Sequence, residues 1–281
     1  MTLALPIAAD GRSAAAIAEA AIRSAGAIIT DAFAVIAAGG QVTVDHKGWN
    51  NLVTEVDCAS EAAILNVLCS AFPDIAVLSE EAGEIRVASD GRSDYQWVLD
   101  PVDGTRNLAS GLPHAAVNVA LAHRGEVVLA LTYDPQRGEL FQAEVGAGAT
   151  LNGTSIHVAD AESLRECVVG FDMGYIEDYG HRMLAMVSGL WPEVQTVRVM
   201  GSIALGMAYV AAGRLQVYGH HHAYRWDRAP GLLLVREAEG VVTDLRGADA
   251  ALVDGPLVCG APLAHAAFMR ASNGTAWRDI T

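Results

Sequence analysis

Apolar residues first recur along the chain at a helical interval. Ile17, Ala21, Ile28, Val35 and Ile36 alternate with Glu19, Arg23 and Asp31 elsewhere on the wheel, so the spacing predicts a long amphipathic helix over 13–38, closed by Gly39-Gly40. A polar segment, 44–55, follows. A second set at Ala63, Ile64, Val67, Leu68 and Phe72 predicts another helix, with Asp57 near its N-terminus, where a side-chain oxygen can meet unpaired N–H groups. Two short apolar runs come next. The run 75–78 closes on Ser79-Glu80-Glu81, and Trp97-Val98-Leu99 closes on Asp100. Both read as buried strands with acids at their C-terminal ends. Runs at 115–122 and 126–133 flank the turn signal His123-Arg124-Gly125, and 139–145 precedes a Gly-rich turn, which predicts antiparallel sheet.

From about residue 158 the pattern changes to strand–helix alternation. Strands are expected at 168–171, 194–199, 215–218, 241–245 and 257–259, and helices near 179–189, 203–212, 229–238 and 264–271. Such alternation argues for a layered α/β half. The halves 1–157 and 158–281 are expected to form one compact body, because no repeat, low-complexity stretch or Pro/Gly/Ser spacer parts them.

Composition narrows the functions open to this fold. Of 281 residues, 52% are hydrophobic and 18% charged, enough for a core and incompatible with intrinsic disorder. The formal charge of −15 would repel phosphate backbones and anionic lipid, which argues against nucleic-acid and membrane-surface partners. The Ala-rich stretch 14–38 is interrupted by Glu19, Arg23 and Asp31, and no uncharged run reaches the roughly 18 residues of a membrane span. Residues 1–10 lack a basic n-region and are broken by Pro6, so no signal peptide is expected. Cys58, Cys69, Cys167 and Cys259 show no C-x-x-C spacing and are expected to be reduced thiols of a cytoplasmic protein.

The chemistry concentrates at Asp100-Pro101-Val102-Asp103-Gly104-Thr105-Arg106-Asn107. Two carboxylates flank a Pro whose fixed φ stiffens the turn. Both acids and the Val102 carbonyl can point at one spot, and hard oxygens of this kind suit Mg²⁺. A helix starting at Gly104-Thr105 would offer N–H groups to a phosphate. Glu80, at the end of a neighbouring strand, could complete the cluster. Asp227, in Trp226-Asp227-Arg228-Ala229, opens another helix, where an ordinary N-cap is the alternative reading.

With these motifs the chain resembles the inositol monophosphatase family of metal-dependent, lithium-sensitive phosphatases. The D-P-[ILV]-D-G-T-x-N pattern is met by residues 100–107, the G-E-E type motif by Ser79-Glu80-Glu81, L-V-T-x-x-D by residues 52–57 with Glu61 four further on, and W-D-x-A by residues 226–229. The four occur in family order across most of the chain. The resemblance implies an αβαβα sandwich, usually a homodimer, that hydrolyses a small polyol or sugar phosphate with metal-activated water. It implies that Glu80, Asp100, the Val102 carbonyl, Asp103 and Asp227 bind two or three Mg²⁺ ions. Asp57 and Thr105 would form a hydrogen-bonded pair that, with Glu80, deprotonates the attacking water. Gly104 and Thr105 N–H groups would hold the phosphate. Glu80, Asp100, Asp103 and Asp227 together carry −4, which two Mg²⁺ would cancel, so an anionic substrate should require metal.

Departures bear on the substrate. Asn51 stands where inositol-specific members carry Asp, and Leu108 replaces an aromatic. Pro230 follows Ala229, read as a tolerated first-turn proline. His220 falls where inositol-preferring members carry a Glu that contacts substrate hydroxyls. For Gly219-His220-His221-His222-Ala223-Tyr224-Arg225 three readings stand: a solvated loop, a transition-metal site, or substrate selection by His220, Tyr224 or Arg225, with Arg225 pairing a second anionic group. Lys47 is either exposed or a basic residue near the outer metal. Gly201-Ser202 either touches substrate through its backbone or supplies an N-cap. Asp244 and Asp254 read as surface acids. Histidinol-phosphate, fructose 1,6-bisphosphate and 3′-phosphoadenosine 5′-phosphate phosphatases are the rival activities, although Arg106-Asn107-Leu108 departs from the D-G-T-K-E-F usual in the last. A non-catalytic phosphometabolite-binding relative is the rival outside the class.

Overall fold

The computed structural model describes residues 4–48, 51–85 and 93–278. Its first half comprises α1 (Ala14–Ala37), β1 (Val44–Gly48), β2 (Asn51–Thr54), α2 (Glu55–Ala71), β3 (Ala76–Ser79), β4 (Gly83–Ile85), β5 (Tyr95–Asp103), α3 (Thr105–Ala109), β6 (Ala116–His123), β7 (Glu126–Asp134), β8 (Glu139–Glu144), β9 (Gly148–Leu151) and β10 (Thr154–Ile156). The second half comprises β11 (Val168–Phe171), α4 (Glu177–Leu190), β12 (Thr196–Val199), α5 (Ile203–Ala211), β13 (Val217–Ala223), α6 (Arg225–Glu237), β14 (Val241–Thr243), β15 (Gly255–Gly260) and α7 (Pro262–Ala271).

Strand periodicity turns these elements into layers. In β5, Trp97 and Leu99 face α1 and α2, joining Ile17, Ile22 and Leu68 in one core, while Val98 faces the other way, joining Met207 of α5 and Leu234 of α6. A strand covered on both faces needs apolar residues throughout, which is why 97–99 shows no polar alternation. β5 lies inside an eight-stranded sheet of order β10-β9-β8-β7-β6-β5-β3-β4. The same rule operates in the five-stranded sheet of order β12-β11-β13-β15-β14. Its Tyr218 packs toward α5 and α6, and its neighbour Val217 packs toward Met183 of α4 and Phe268 of α7. The sequence of layers is therefore α1/α2, large sheet, α5/α6, small sheet, α4/α7: the αβαβα sandwich.

Several expectations are corrected. The buried stripe of α1 runs through Ile17, Ala18, Ala21, Ile22, Ala25, Ile29 and Phe33, whereas Val35 is 50% exposed. α1 is long and apolar enough to cross a membrane, but ten of its residues are buried against the fold. The polar segment 44–55 holds the hairpin β1–β2. The Lys47 and Asn51 side chains lie outside the described residues. His220 to His222 belong to β13, and His220 and His221 are buried, so the solvated-loop reading fails. α6 starts at Arg225, which places Pro230 beyond the first turn, where its missing N–H costs the Trp226 carbonyl its helical partner.

Candidate active site

The acid pair is made by a bulge rather than a turn. β5 and β6 stay in register to the pair Asp100–Asn118, and the next pair is Asp103–Ala116. Three steps on β5 thus oppose two on β6. Residues three apart on a regular strand face opposite ways; the extra residue restores parity and brings both acids to one side. Pro101 is tolerated there because a bulge interrupts the ladder. Gly104 follows at φ 107°, a left-handed conformation that favours glycine, and leads into α3.

Neighbouring elements add the other acids. β3 runs parallel to β5 with Ser79 opposite Leu99, so Glu80 abuts Asp100, and their side chains hydrogen-bond. Buried Glu61 of α2 holds that strand end, accepting from Ser79 Oγ and, at 3.1 Å, from Ala82 N–H. Asp227, in the first turn of α6, accepts from Tyr224 N–H at 3.0 Å. Asp103 caps α5, accepting from Ser202 Oγ and Ala204 N–H, each at 2.6 Å, and from Ile203 N–H at 3.3 Å.

This crowding raises the acids' proton affinity. Burial first, then the charges of Glu80, Asp103 and Asp227, pushes the Asp100 pKa well above the ordinary carboxylate range. Asp227 is driven up by burial and by Asp103 and Glu80. Asp103 rises to about 6, burial outweighing the bonds from Ser202, Ala204 and Ile203. A divalent cation is the complement such a set calls for, and carboxylate and carbonyl oxygens fit Mg²⁺. As they stand, no three His, Cys, Asp or Glu side chains among the described residues are arranged to hold an ion. Asp103 is engaged by the α5 N-terminus, a bond set that an ion would have to share.

Beside the acids stands a second constellation. Thr105 Oγ1 lies 2.9 Å from Asp57 Oδ1 and 3.0 Å from the Val102 carbonyl oxygen. Asp57 Oδ2 accepts from Thr54 N–H at 2.8 Å and from Thr54 Oγ1. Burial raises the Asp57 pKa against these bonds.

A cavity of about 230 Å³ opens on this region, lined by Asp103, Thr105 and Asp227 together with Arg106, Tyr175 and His220. Gly201 and Ser202 line it as well. The Gly201 N–H donates to Asp172 Oδ1, and its carbonyl accepts from Asn107 Nδ2 at 3.2 Å. Gly201 has φ 69°, and a Cβ there would sit 2.6 Å from Asn107 Nδ2, so both conformation and space exclude a side chain. Ser202 is the N-cap of α5, its Oγ accepting from Leu205 N–H at 3.2 Å. Arg225 is not in the cavity wall; its Nε lies 3.2 Å from Asp254 Oδ1, and its N–H donates to the same oxygen at 2.9 Å. That leaves Asp254 as more than a surface acid.

Three wall residues were missed in the sequence. Asp172 follows β11, buried, with Oδ2 accepting from Tyr218 OH at 2.6 Å, and burial lifts it to about 7. An acid closing an apolar strand was the available signal, the same one that marks Asp100. Arg106 sits within the D-G-T-R-N run itself. Its guanidinium stacks 4.5 Å over the Tyr175 ring and reaches the Gly174 carbonyl at 3.4 Å. Burial and the nearby Asp227 and Glu80 push the Tyr175 hydroxyl well above its ordinary range.

Five layers, with a carboxylate cluster where the large sheet meets α5 and α6, define the class of fold. The chain belongs to the inositol monophosphatase family, whose model matches residues 10–275. It is 39% identical over 222 residues to the Nus factor SuhB of Salmonella typhimurium, covering 79% of this chain and 82% of that one. It is 38% identical over 218 residues to the inositol-1-monophosphatase of Rhizobium meliloti, covering 77% and 81%. Among solved structures, the extragenic suppressor protein SuhB of Bartonella henselae superposes with a TM-score of 0.86 at 31% identity, covering 92% of this chain and 98% of that one.

Proposed function

We propose that the protein is a Mg²⁺-dependent phosphomonoesterase acting on a small phosphorylated metabolite. The carrying observation is the burial of Asp100, Asp103 and Asp227 together beside Glu80, with the Thr105–Asp57 pair adjoining. Glu80, Asp100, the Val102 carbonyl, Asp103 and Asp227 would hold two or three Mg²⁺ ions. When bound, those ions would supply positive charge to the phosphate oxygens and to the departing alkoxide. Thr105 can accept a proton from water at Oγ1 while donating its own to Asp57 Oδ1, and Glu80 helps orient that water. Gly104 and Thr105 N–H groups would hold the phosphate. Gly201, Ser202 and His220 would wall the alcohol portion, and Ser202 also keeps Asp103 in place. A cytoplasmic homodimer completes the proposal, which the free state of all four cysteines suits.

The name Nus factor on some relatives favours a second possibility, a binding protein that has kept the fold. Phosphate release from inositol 1-phosphate, histidinol phosphate, fructose 1,6-bisphosphate and 3′-phosphoadenosine 5′-phosphate, with Mg²⁺ or EDTA, separates the two. The proposal expects metal-dependent release from at least one ester, lowered about a thousandfold or more by Asp100→Asn while the circular dichroism spectrum stays native. Unchanged release in that variant removes the metal assignment. No release from a folded, Mg²⁺-saturated protein supports the binding alternative.

A further inference from the structure

A second cavity, of about 340 Å³, lies against α6 and shares no lining residue with the one at the acid cluster. Arg228 of α6, Asp244 and Arg246 of the segment after β14, and Asp249 and Asp254 of the segment leading to β15 line it. Neighbours on a helix point about 100° apart, so Asp227 lines the first cavity and Arg228 the second.

Arg228 is only 2% exposed. Its Nη1 donates to the Val253 carbonyl at 3.0 Å and to the Gly255 carbonyl at 3.3 Å. Its Nε is sealed from solvent and has no hydrogen-bond partner. Nη2 has no partner among the described residues either, but it is not sealed, so it is the donor left open to the cavity. Among the described residues no carboxylate pairs with this guanidinium. A buried cation without a counter-ion is costly, and so is a buried donor without an acceptor. Arg228 therefore calls for an anionic acceptor.

The rest of the lining decides what kind of molecule can bring one. Asp254 is engaged by Arg225, through its N–H at 2.9 Å and its Nε at 3.2 Å. Asp244 uses Oδ1 alone, accepting from Arg246 N–H at 2.7 Å and Ala248 N–H at 2.9 Å. The Arg246 and Asp249 side chains are exposed and have no partner among the described residues. With the Arg225–Asp254 pair set aside, the lining is balanced, Arg228 and Arg246 against Asp244 and Asp249. An anion alone would gain Arg228 but meet those two carboxylates, and a cation alone would leave Arg228 unpaired. A molecule with both charges satisfies both needs. The volume is near the lower bound of the roughly 300–1,000 Å³ of small-molecule sites, which suits an occupant of amino-acid size. We infer that this cavity binds a small zwitterion, a carboxylate and an ammonium on one short carbon frame as in an amino acid, with the carboxylate held by Arg228.

Glycine and L-valine are the probes, the second adding an apolar group for Ala250, Ala251 and Val253. Acetate and methylamine keep one charge each of glycine; isovalerate and isobutylamine do the same for valine. Titration calorimetry on the full chain with Mg²⁺ should show one saturable site for at least one zwitterion, with its single-charge analogues weaker by about tenfold or more. Arg228→Gln should abolish that binding. If Arg228→Gln does not fold, Arg246→Ala and Asp249→Asn decide, since both alter exposed residues outside the acid cluster. Each should weaken the zwitterion by about threefold or more. No saturable heat from either zwitterion at millimolar concentration overturns the inference. So does equal binding of a zwitterion and its analogues, or binding that a folded Arg228→Gln or both surface variants leave unchanged. Phosphate release enters none of these outcomes, so the site and the phosphatase stand or fall separately.

Discussion

Burial acts on the acid cluster and on His220 with the same push toward neutrality and different consequences. At Asp100 and Asp227 it favours the protonated acid, and neighbouring carboxylates add to the shift. At His220 it favours the free base, holding the ring down at about 3, and neighbouring His222 and His221 add to that shift. Both groups are pressed toward neutrality, but the remedies differ. The acids number four within reach of one another, and a divalent cation can restore their charge. The imidazole is held uncharged by burial, although Asp103, Asp172 and Asp227 line the same cavity. The acid cluster is thus built around a missing positive charge, whereas His220, in the same cavity as Asp103 and Asp227, stays a neutral imidazole.

The largest expected contrast is in the response to Mg²⁺. An ion at about a hundred times its dissociation constant adds about 2.7 kcal/mol to folding stability. For a chain of this size that raises the melting temperature by roughly 5 °C or more. Asp227→Asn keeps an oxygen for the Tyr224 N–H and removes one like charge from the cluster. Its melting temperature in EDTA should equal or exceed that of the wild type, and its rise with Mg²⁺ should shrink to a degree or two. A full Mg²⁺ response in Asp227→Asn would remove it from the ion site.

The acid cluster was largely legible in the sequence and the surroundings of His220 were not, for a physical reason. Asp100, Asp103, Gly104 and Thr105 are neighbours in the chain, and Glu80 and Asp227 close or open an element. Local spacing therefore carried the cluster, although the bulge that gives Asp100 and Asp103 a common side depends on pairing with β6 and was read as a turn. His220 gave a misleading local signal. Three successive histidines look polar, yet β13 is covered on both faces, so Tyr179 of α4 stacks on His221 while His220 turns to the cavity. Arg225 and Asp254 are 29 residues apart, and their pairing depends on how the chain returns before β15. The αβαβα order was likewise implied by family resemblance, since alternation alone suggests layers without fixing which helices lie between the sheets.

A smaller effect is expected at Asp172, a further acid of the cavity wall. Its pKa rises from 3.8 to about 7 because burial outweighs the bonds from Tyr218 and Gly201. Between those values the folded protein holds a proton that the unfolded chain has released. Its contribution to stability is therefore complete below about pH 4 and is lost as pH climbs through 7, by at most about 1.4 kcal/mol per pH unit. Asp172→Asn cannot lose that proton. In EDTA, urea midpoints for wild type and variant should diverge from pH 4 to 7.5, the variant gaining by up to a few kcal/mol. Parallel curves would show that Asp172 is ionised throughout, and the cavity wall would then carry its negative charge as well.

The smallest effect tests the boundary of the cavity wall. Arg225 and Asp254 have side chains 43% and 38% exposed, and pairs of this kind contribute about 0–1 kcal/mol because water competes and both side chains lose freedom. Arg225→Ala should therefore change stability by less than about 0.5 kcal/mol. Since Arg225 lies outside the cavity wall, kcat/KM for inositol 1-phosphate and fructose 1,6-bisphosphate should each stay within about twofold. If Arg225→Ala instead selectively weakened fructose 1,6-bisphosphate, the arginine would have to leave Asp254 for the substrate. The wall would then include a cation that this arrangement keeps outside.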